Sequence, residues 1–184
     1  LTSSGFSDIF VAKLDSSGNW LWAKNAGGSP YDYGHGIAVD ASGNSYVTGY
    51  FSGTATFGST TLTSSGGADI FVAKLDSSGN WLWANNAGGT GYDGGIGIAV
   101  DASGNSYVNG DFSGTVTFGS TTLTSKGKSD IFVAKLDSSG NWLWAKKAGG
   151  KGYDKGHGIA VDAGNNSYVT GIFEGSATFG STTL

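Results

Sequence analysis

Apolar residues recur at every second position along this chain, in short bursts separated by glycine, serine, asparagine and aspartate, a spacing of strands rather than helices. "DIFVAKLD" from Asp8 to Asp15 and "NWLWAKN" from Asn19 to Asn25 flank Ser16-Ser17-Gly18 and predict a hairpin. "GIAVD" from Gly36 to Asp40 and "SYVTGYF" from Ser45 to Phe51 flank Ala41 to Asn44 and predict a second. "TATFG" and "STTLT" predict a smaller ribbon around Gly58-Ser59, where glycine supplies the positive φ of a tight turn. Ile9-Phe10-Val11 and Trp20-Leu21-Trp22 are apolar at consecutive positions, so both faces of those strands need cover. Small sheets stacked face to face provide it. No segment holds a helical period for more than a turn, and the expected fold is all-β.

The same pattern returns every 61 residues, as repeats 1–61, 62–122 and 123–183. Of those 61 positions, 45 are identical in all three copies and 16 vary. Each unit must therefore meet its neighbours in one repeated way, as in solenoids and propellers. Leu1, Leu62, Leu123 and Leu184 share one phase, which fits a deliberately engineered chain as well as a piece of a longer array.

Composition narrows the function. The 184 residues include 34 Gly and no Cys or Met; every basic residue is Lys, and 13 of the 14 acids are Asp. Without Cys there is no disulfide, thiolate nucleophile or thiolate metal site. A net charge of −4 without one Arg argues against a nucleic-acid partner. No apolar run approaches a membrane-spanning length, so membrane insertion is not expected, and no leader segment is expected in the chain. Charge is uneven: repeat one sums to −2, repeat two to −4 and repeat three, with seven Lys, to +2. Such asymmetry can set the register of pairing between copies.

"GIAVDASGNSYVTGYF", which returns at Gly97 and nearly so at Gly158, resembles the first two strands of NHL-type propeller blades. With "DIFVAKLDSSGNWLWAKNAGG" it resembles the bacterial β-propeller repeat family abbreviated SBBP, three times over and across the whole chain. The resemblance implies four-stranded antiparallel blades, ordered from inner to outer as A (Ile37), B (Tyr46), C (Phe10) and D (Trp20), with the small hairpin and a long D-to-A loop as additions. It also implies an extracellular or cell-surface interaction module with no shared catalytic residues. On this pattern the chain starts with a C–D half-blade, continues through two complete blades around Gly36–Gly88 and Gly97–Gly149, and ends with an A–B half-blade. Three blade-equivalents fall short of the usual 4–8 of a closed ring, so closure by oligomerisation is expected. A six-bladed homodimer is favoured and a nine-bladed trimer is the alternative.

Candidate chemistry follows the repeats. Six turns of the type D-x-S-G-N (Asp15, Asp40, Asp76, Asp101, Asp137, Asp162) each offer one carboxylate, which suits an Asx-type turn better than a calcium loop. His35 and His157 are equivalent, but Ile96 replaces them in the middle repeat, so packing or channel lining is favoured over a metal site. Tyr31-Asp32, Tyr92-Asp93 and Tyr153-Asp154 recur between strands D and A. They can hold a sugar on a propeller rim, but recurrence in all three copies favours tying the loop down by burying the ring and capping amides with the carboxylate. The six Trp are expected to fill space between diverging blades. Fourteen of the 16 varying positions, Tyr33, His35 and Tyr50 among them, cluster in strand D with its following loop and in the B-to-C connection. Both connections emerge on one face, so that face is individual and the face of the D-x-S-G-N turns uniform. Binding concentrates on such loops, but drift at unconstrained positions gives the same picture and is the favoured reading.

Two functions remain. The first is a non-enzymatic structural or scaffold module whose partner is another copy of itself; the second is a glycan- or surface-protein-binding propeller using the individual face. No cofactor, metal or catalytic cluster is expected.

Overall fold

A computed structural model describes residues 1–184 and contains eighteen strands and no helix. The strands are β1 (Ile9–Leu14), β2 (Trp20–Ser29), β3 (Asp32–Val39), β4 (Ser45–Phe51), β5 (Thr54–Phe57), β6 (Thr60–Thr63), β7 (Asp69–Leu75), β8 (Trp81–Gly89) and β9 (Asp93–Val100). They continue as β10 (Ser106–Phe112), β11 (Thr115–Phe118), β12 (Thr121–Thr124), β13 (Asp130–Leu136), β14 (Trp142–Gly150), β15 (Lys155–Val161), β16 (Ser167–Ile172), β17 (Ala177–Phe179) and β18 (Thr182–Thr183).

Two antiparallel four-stranded blades, β3-β4-β7-β8 and β9-β10-β13-β14, occupy the middle of the chain. The half-blades β1-β2 and β15-β16 flank them. Each small ribbon follows the second strand of its own blade and pairs back onto the outer strand of the preceding sheet: β5-β6 onto β2, β11-β12 onto β8 and β17-β18 onto β14. Neighbouring blades are therefore hydrogen-bonded as well as packed together. The inner strands come close around the axis. A Cβ on Gly36 would lie 2.7 Å from the Ile96 carbonyl oxygen, and one on Gly97 would lie 2.9 Å from that of His157. Glycine at this position is what allows the approach.

The core lies between sheets. One cluster joins Ile9 and Val11 of the first half-blade to Val47, Phe51 and Phe71 of the first complete blade, with Phe57 of the ribbon. The other joins Tyr46, Ile70 and Val72 to Val108, Phe112, Phe118 and Phe132. The run of consecutive apolar residues is thereby explained: Ile70, Phe71, Val72 and Ala73 are all fully buried. The tryptophans bridge blades. Trp22 Nε1 donates to the Ser77 carbonyl at 3.2 Å, and Trp83 Nε1 to that of Ser138 at 3.2 Å.

One expectation needs correction. The D-to-A connection is not a long loop, because β2 runs on to Ser29 and β3 already starts at Asp32. Ala26-Gly27-Gly28 reads as loop from composition. It stays extended because the ribbon pairs with it, with Gly27 opposite Thr56 and Gly28 opposite Ala55.

The two half-blades lack cover that the complete blades have. Phe10 is 71% exposed, whereas its counterparts Phe71 and Phe132 are at 0%. Tyr168 is 61% exposed against 0% for Tyr46 and 1% for Tyr107. Leu14, Val169 and Phe173 are exposed where Leu75, Val108 and Phe112 are buried.

Candidate functional site

Antiparallel order puts all six D-x-S-G-N turns at one end of the sheets and the D-to-A and B-to-C connections at the other. On the turn face each Asp is saturated by its own turn. Asp15 Oδ1 accepts the Ser17 and Asn19 amides, both at 2.9 Å, and Oδ2 accepts Asn19 Nδ2 at 2.9 Å. The same bonds form around Asp40, Asp76, Asp101, Asp137 and Asp162. Bonding to Asn19 holds the Asp15 carboxyl below its usual range. The third repeat places Asn165 (φ 64) where the others have glycine, a conformation asparagine tolerates.

On the loop face the Tyr-Asp pair divides its work. The carboxylate is structural: Asp32, Asp93 and Asp154 are buried, and their Oδ2 atoms accept the Gly28, Gly89 and Gly150 amides at 2.7, 2.8 and 2.6 Å. Their own amides donate to the carbonyls of Ser7, Ala68 and Ser129, clamping the short connection to the start of strand C. The rings do not follow the expected burial. Tyr31, Tyr92 and Tyr153 remain 42%, 43% and 45% exposed, although the backbone of each is bridged to the neighbouring connection.

In the first repeat these rings join others into a continuous aromatic surface. Phe6 stacks on Tyr31 at 5.0 Å, Tyr31 on Tyr33 at 6.4 Å, and Tyr33 meets Tyr50 at 5.0 Å. Tyr50 continues to Tyr92 at 5.1 Å and to His35 at 5.3 Å. Burial keeps the His35 imidazole below its usual pKa and holds the Tyr92 hydroxyl above its own. Tyr31, Tyr33, His35, Tyr50 and Tyr92 are thus brought together. Tyr153 and His157 stand apart in the third repeat, where Lys128 Nζ lies over the Tyr153 ring at 4.4 Å. No group of three His, Cys, Asp or Glu is placed to hold a metal ion.

Sequence reasoning overlooked a second carboxylate beside each Tyr-Asp pair. Asp8 and Asp32 converge on Gly27, and Asp130 and Asp154 on Gly149, each with atoms within 2.9 Å of where a Cβ would stand. Asp69 likewise crowds Gly88, and burial together with the nearby Asp69 charge pushes the Asp93 carboxyl up to about 7. Asp8, Asp32, Asp69 and Asp93 each keep a buried Oδ1 without a partner. In the third repeat Lys147 replaces Asn25 and Asn86, and its Nζ meets Asp130 Oδ2 at 3.3 Å. The constancy of Asp8, Asp69 and Asp130 across the repeats was the available signal.

Residues 21–50 match the model of the SBBP β-propeller repeat, a span that runs from strand β2 through β4. Over that span the chain is similar to an SBBP propeller repeat. The 61-residue period places the same strands at 82–111 and 143–172. The chain is also 28% identical, over 200 aligned positions, to an uncharacterized WD repeat-containing protein (L264) of Acanthamoeba polyphaga mimivirus. That alignment takes in 90% of this chain but only 14% of the relative's length.

Proposed function

We propose that this SBBP repeat chain is a non-enzymatic scaffold or interaction module that closes into a six-bladed propeller by pairing with a second copy of itself. The carrying observation is the contrast between identical residues, buried inside the complete blades and exposed at the two ends. The first half-blade offers a groove of about 410 Å³ lined by Ile9, Phe10, Tyr33, Ile37 and Val47. A second of about 310 Å³, lined by Ile131, Trp144, Val169 and Phe179, opens beside β16. The complete blades supply the docking register: Ser45 opposite Leu75, Gly49 opposite Phe71 and Phe51 opposite Asp69. Applied across copies, it sets Ser167 opposite Leu14, Gly171 opposite Phe10 and Phe173 opposite Asp8. Two copies give a ring of the commonest homo-oligomer symmetry, and a half-blade with an open strand edge is covered at both ends.

The test is solution mass with a paired variant. The wild-type chain is expected at twice 18.6 kDa by light scattering. Phe10→Asp is expected to remain at 18.6 kDa, since that ring touches little within its own chain. A threefold mass would replace the dimer with a nine-bladed trimer; a folded wild-type monomer would overturn the reading.

A second reading, glycan or protein binding at an extracellular surface, is favoured by the aromatic run from Phe6 to Tyr92. Those rings are half open to solvent and largely confined to the first repeat; in the other two, Gly67 and Lys128 replace Phe6, Gly94 and Lys155 replace Tyr33, and Asp111 and Ile172 replace Tyr50. Tyr50→Ala should abolish binding on a glycan array while leaving the mass unchanged.

A further inference from the structure

We infer that the loop face takes an acidic polysaccharide, uronate- or sulfate-bearing, with third-repeat lysines receiving its acid groups and tyrosines its sugar faces. The inference rests on the glycan-binding reading and adds the class of glycan. The net charge of −4 misdescribes this face. Six of the acids sit in the turns at the far end of the sheets, and Asp32, Asp69, Asp93, Asp111, Asp130 and Asp154 are buried. What the loop face presents to solvent is set mainly by its lysines.

Three of the seven third-repeat lysines are paired: Lys135 with Asp101 at 3.7 Å, Lys147 with Asp130 at 3.3 Å and Lys155 with Asp111 at 3.7 Å. Lys126, Lys128 and Lys151 instead line one cleft of about 800 Å³, beside Glu174, Ser176 and Thr178, and none of their ammonium groups forms an ion pair. Glu174 is engaged elsewhere, its Oε2 accepting the Tyr153 amide at 3.2 Å. All three lysines stand at varying positions, where the first repeat has Ser4, Phe6 and Ser29 and the second Ser65, Gly67 and Thr90. In an array with 45 of 61 positions constant, three ammonium groups have been gathered around one opening. Lys128 also sits over Tyr153 where Phe6 sits over Tyr31, so cation and aromatic ring share one place in the design.

That combination selects the ligand. A ring face with an adjacent ammonium suits a pyranose that carries a carboxylate or sulfate. A nucleic-acid backbone would call for the forked donors of arginine, which the chain lacks. In the closed ring, Ser3 of the second copy would take the place that Ser125 holds against Gly114, where its Oγ accepts the Gly114 amide at 3.0 Å. That narrows the outer end of the cleft at Gly175 and leaves the lysines in position.

The experiment is calorimetric titration of the full chain with an oligogalacturonate, a sulfated oligosaccharide, a neutral oligosaccharide of equal length and a single-stranded oligonucleotide. The acidic sugars should bind, and Lys128→Ala with Lys151→Ala should weaken them about tenfold, as should raised salt. Lys13→Ala, on the far face, is the control and should change nothing. Binding of the neutral sugar alone, insensitive to the lysine changes, would overturn this inference and keep the glycan reading. No sugar binding at all would overturn both. Equal binding of the oligonucleotide would make the cleft a general polyanion surface and also overturn the inference.

Discussion

Replacing Asp93 by Asn should stabilise the protein above neutral pH and flatten its pH dependence. Asp93 is fully buried, its Oδ2 holds the Gly89 amide at 2.8 Å and its Oδ1 has no partner. Burial, with Asp69 and Asp111 nearby, pushes its carboxyl from 3.8 up to about 7. The folded state therefore binds a proton that the unfolded state releases between those two values. The contribution of this carboxyl to stability is greatest below about pH 4, falls as pH rises, and levels off above about 7. A displacement of roughly three units at about 1.4 kcal/mol each sets an upper value of about 4 kcal/mol. Asparagine carries no charge and still accepts the Gly89 amide. Urea unfolding across that range should find the variant about 2–4 kcal/mol more stable than wild type at pH 8 and nearly equal at pH 4. A variant less stable at pH 8, with the wild-type slope intact, would refute the shared-burial account of these carboxylates.

Trp83→Ala should cost about 3 kcal/mol in urea unfolding, since the ring packs on Tyr46, bonds Ser138 and abuts Gly140 of the next blade. A cost below about 1 kcal/mol would mean that the tryptophans do not join blades. A chelator should leave the thermal midpoint unchanged, because each turn Asp already has its oxygens filled by its own turn. A chelator-induced drop would restore a cation to those turns.

The alternation of apolar residues and the glycine turns made most strands legible in advance, including the ribbon around Gly58 (φ 62). The long β2 was not legible. Its second half is held by β5, which lies some thirty residues away and whose contribution no local pattern in Ala26-Gly27-Gly28 betrays. Position on the loop face could be read for Tyr31, Tyr33, His35, Tyr50 and Tyr92, but not their junction into one surface, which requires Tyr50 of one blade to meet Tyr92 of the next. The proximity of Asp69 to Asp93 was likewise hidden, because Asp69 opens a strand and looks like an ordinary polar boundary until the fold buries it near Asp93.

Assembly can be tested most directly by covalent capture across the expected seam. Val47 lies opposite Ala73 inside the first complete blade, so Val169 of one copy should lie opposite Ala12 of another. The chain has no cysteine of its own, and the double variant Ala12→Cys with Val169→Cys introduces the only two. On mild oxidation it should migrate without reductant at twice 18.6 kDa and return to single mass with it. Cross-linked material that stays at 18.6 kDa, or a chain that forms no disulfide at all, would contradict closure by a second copy.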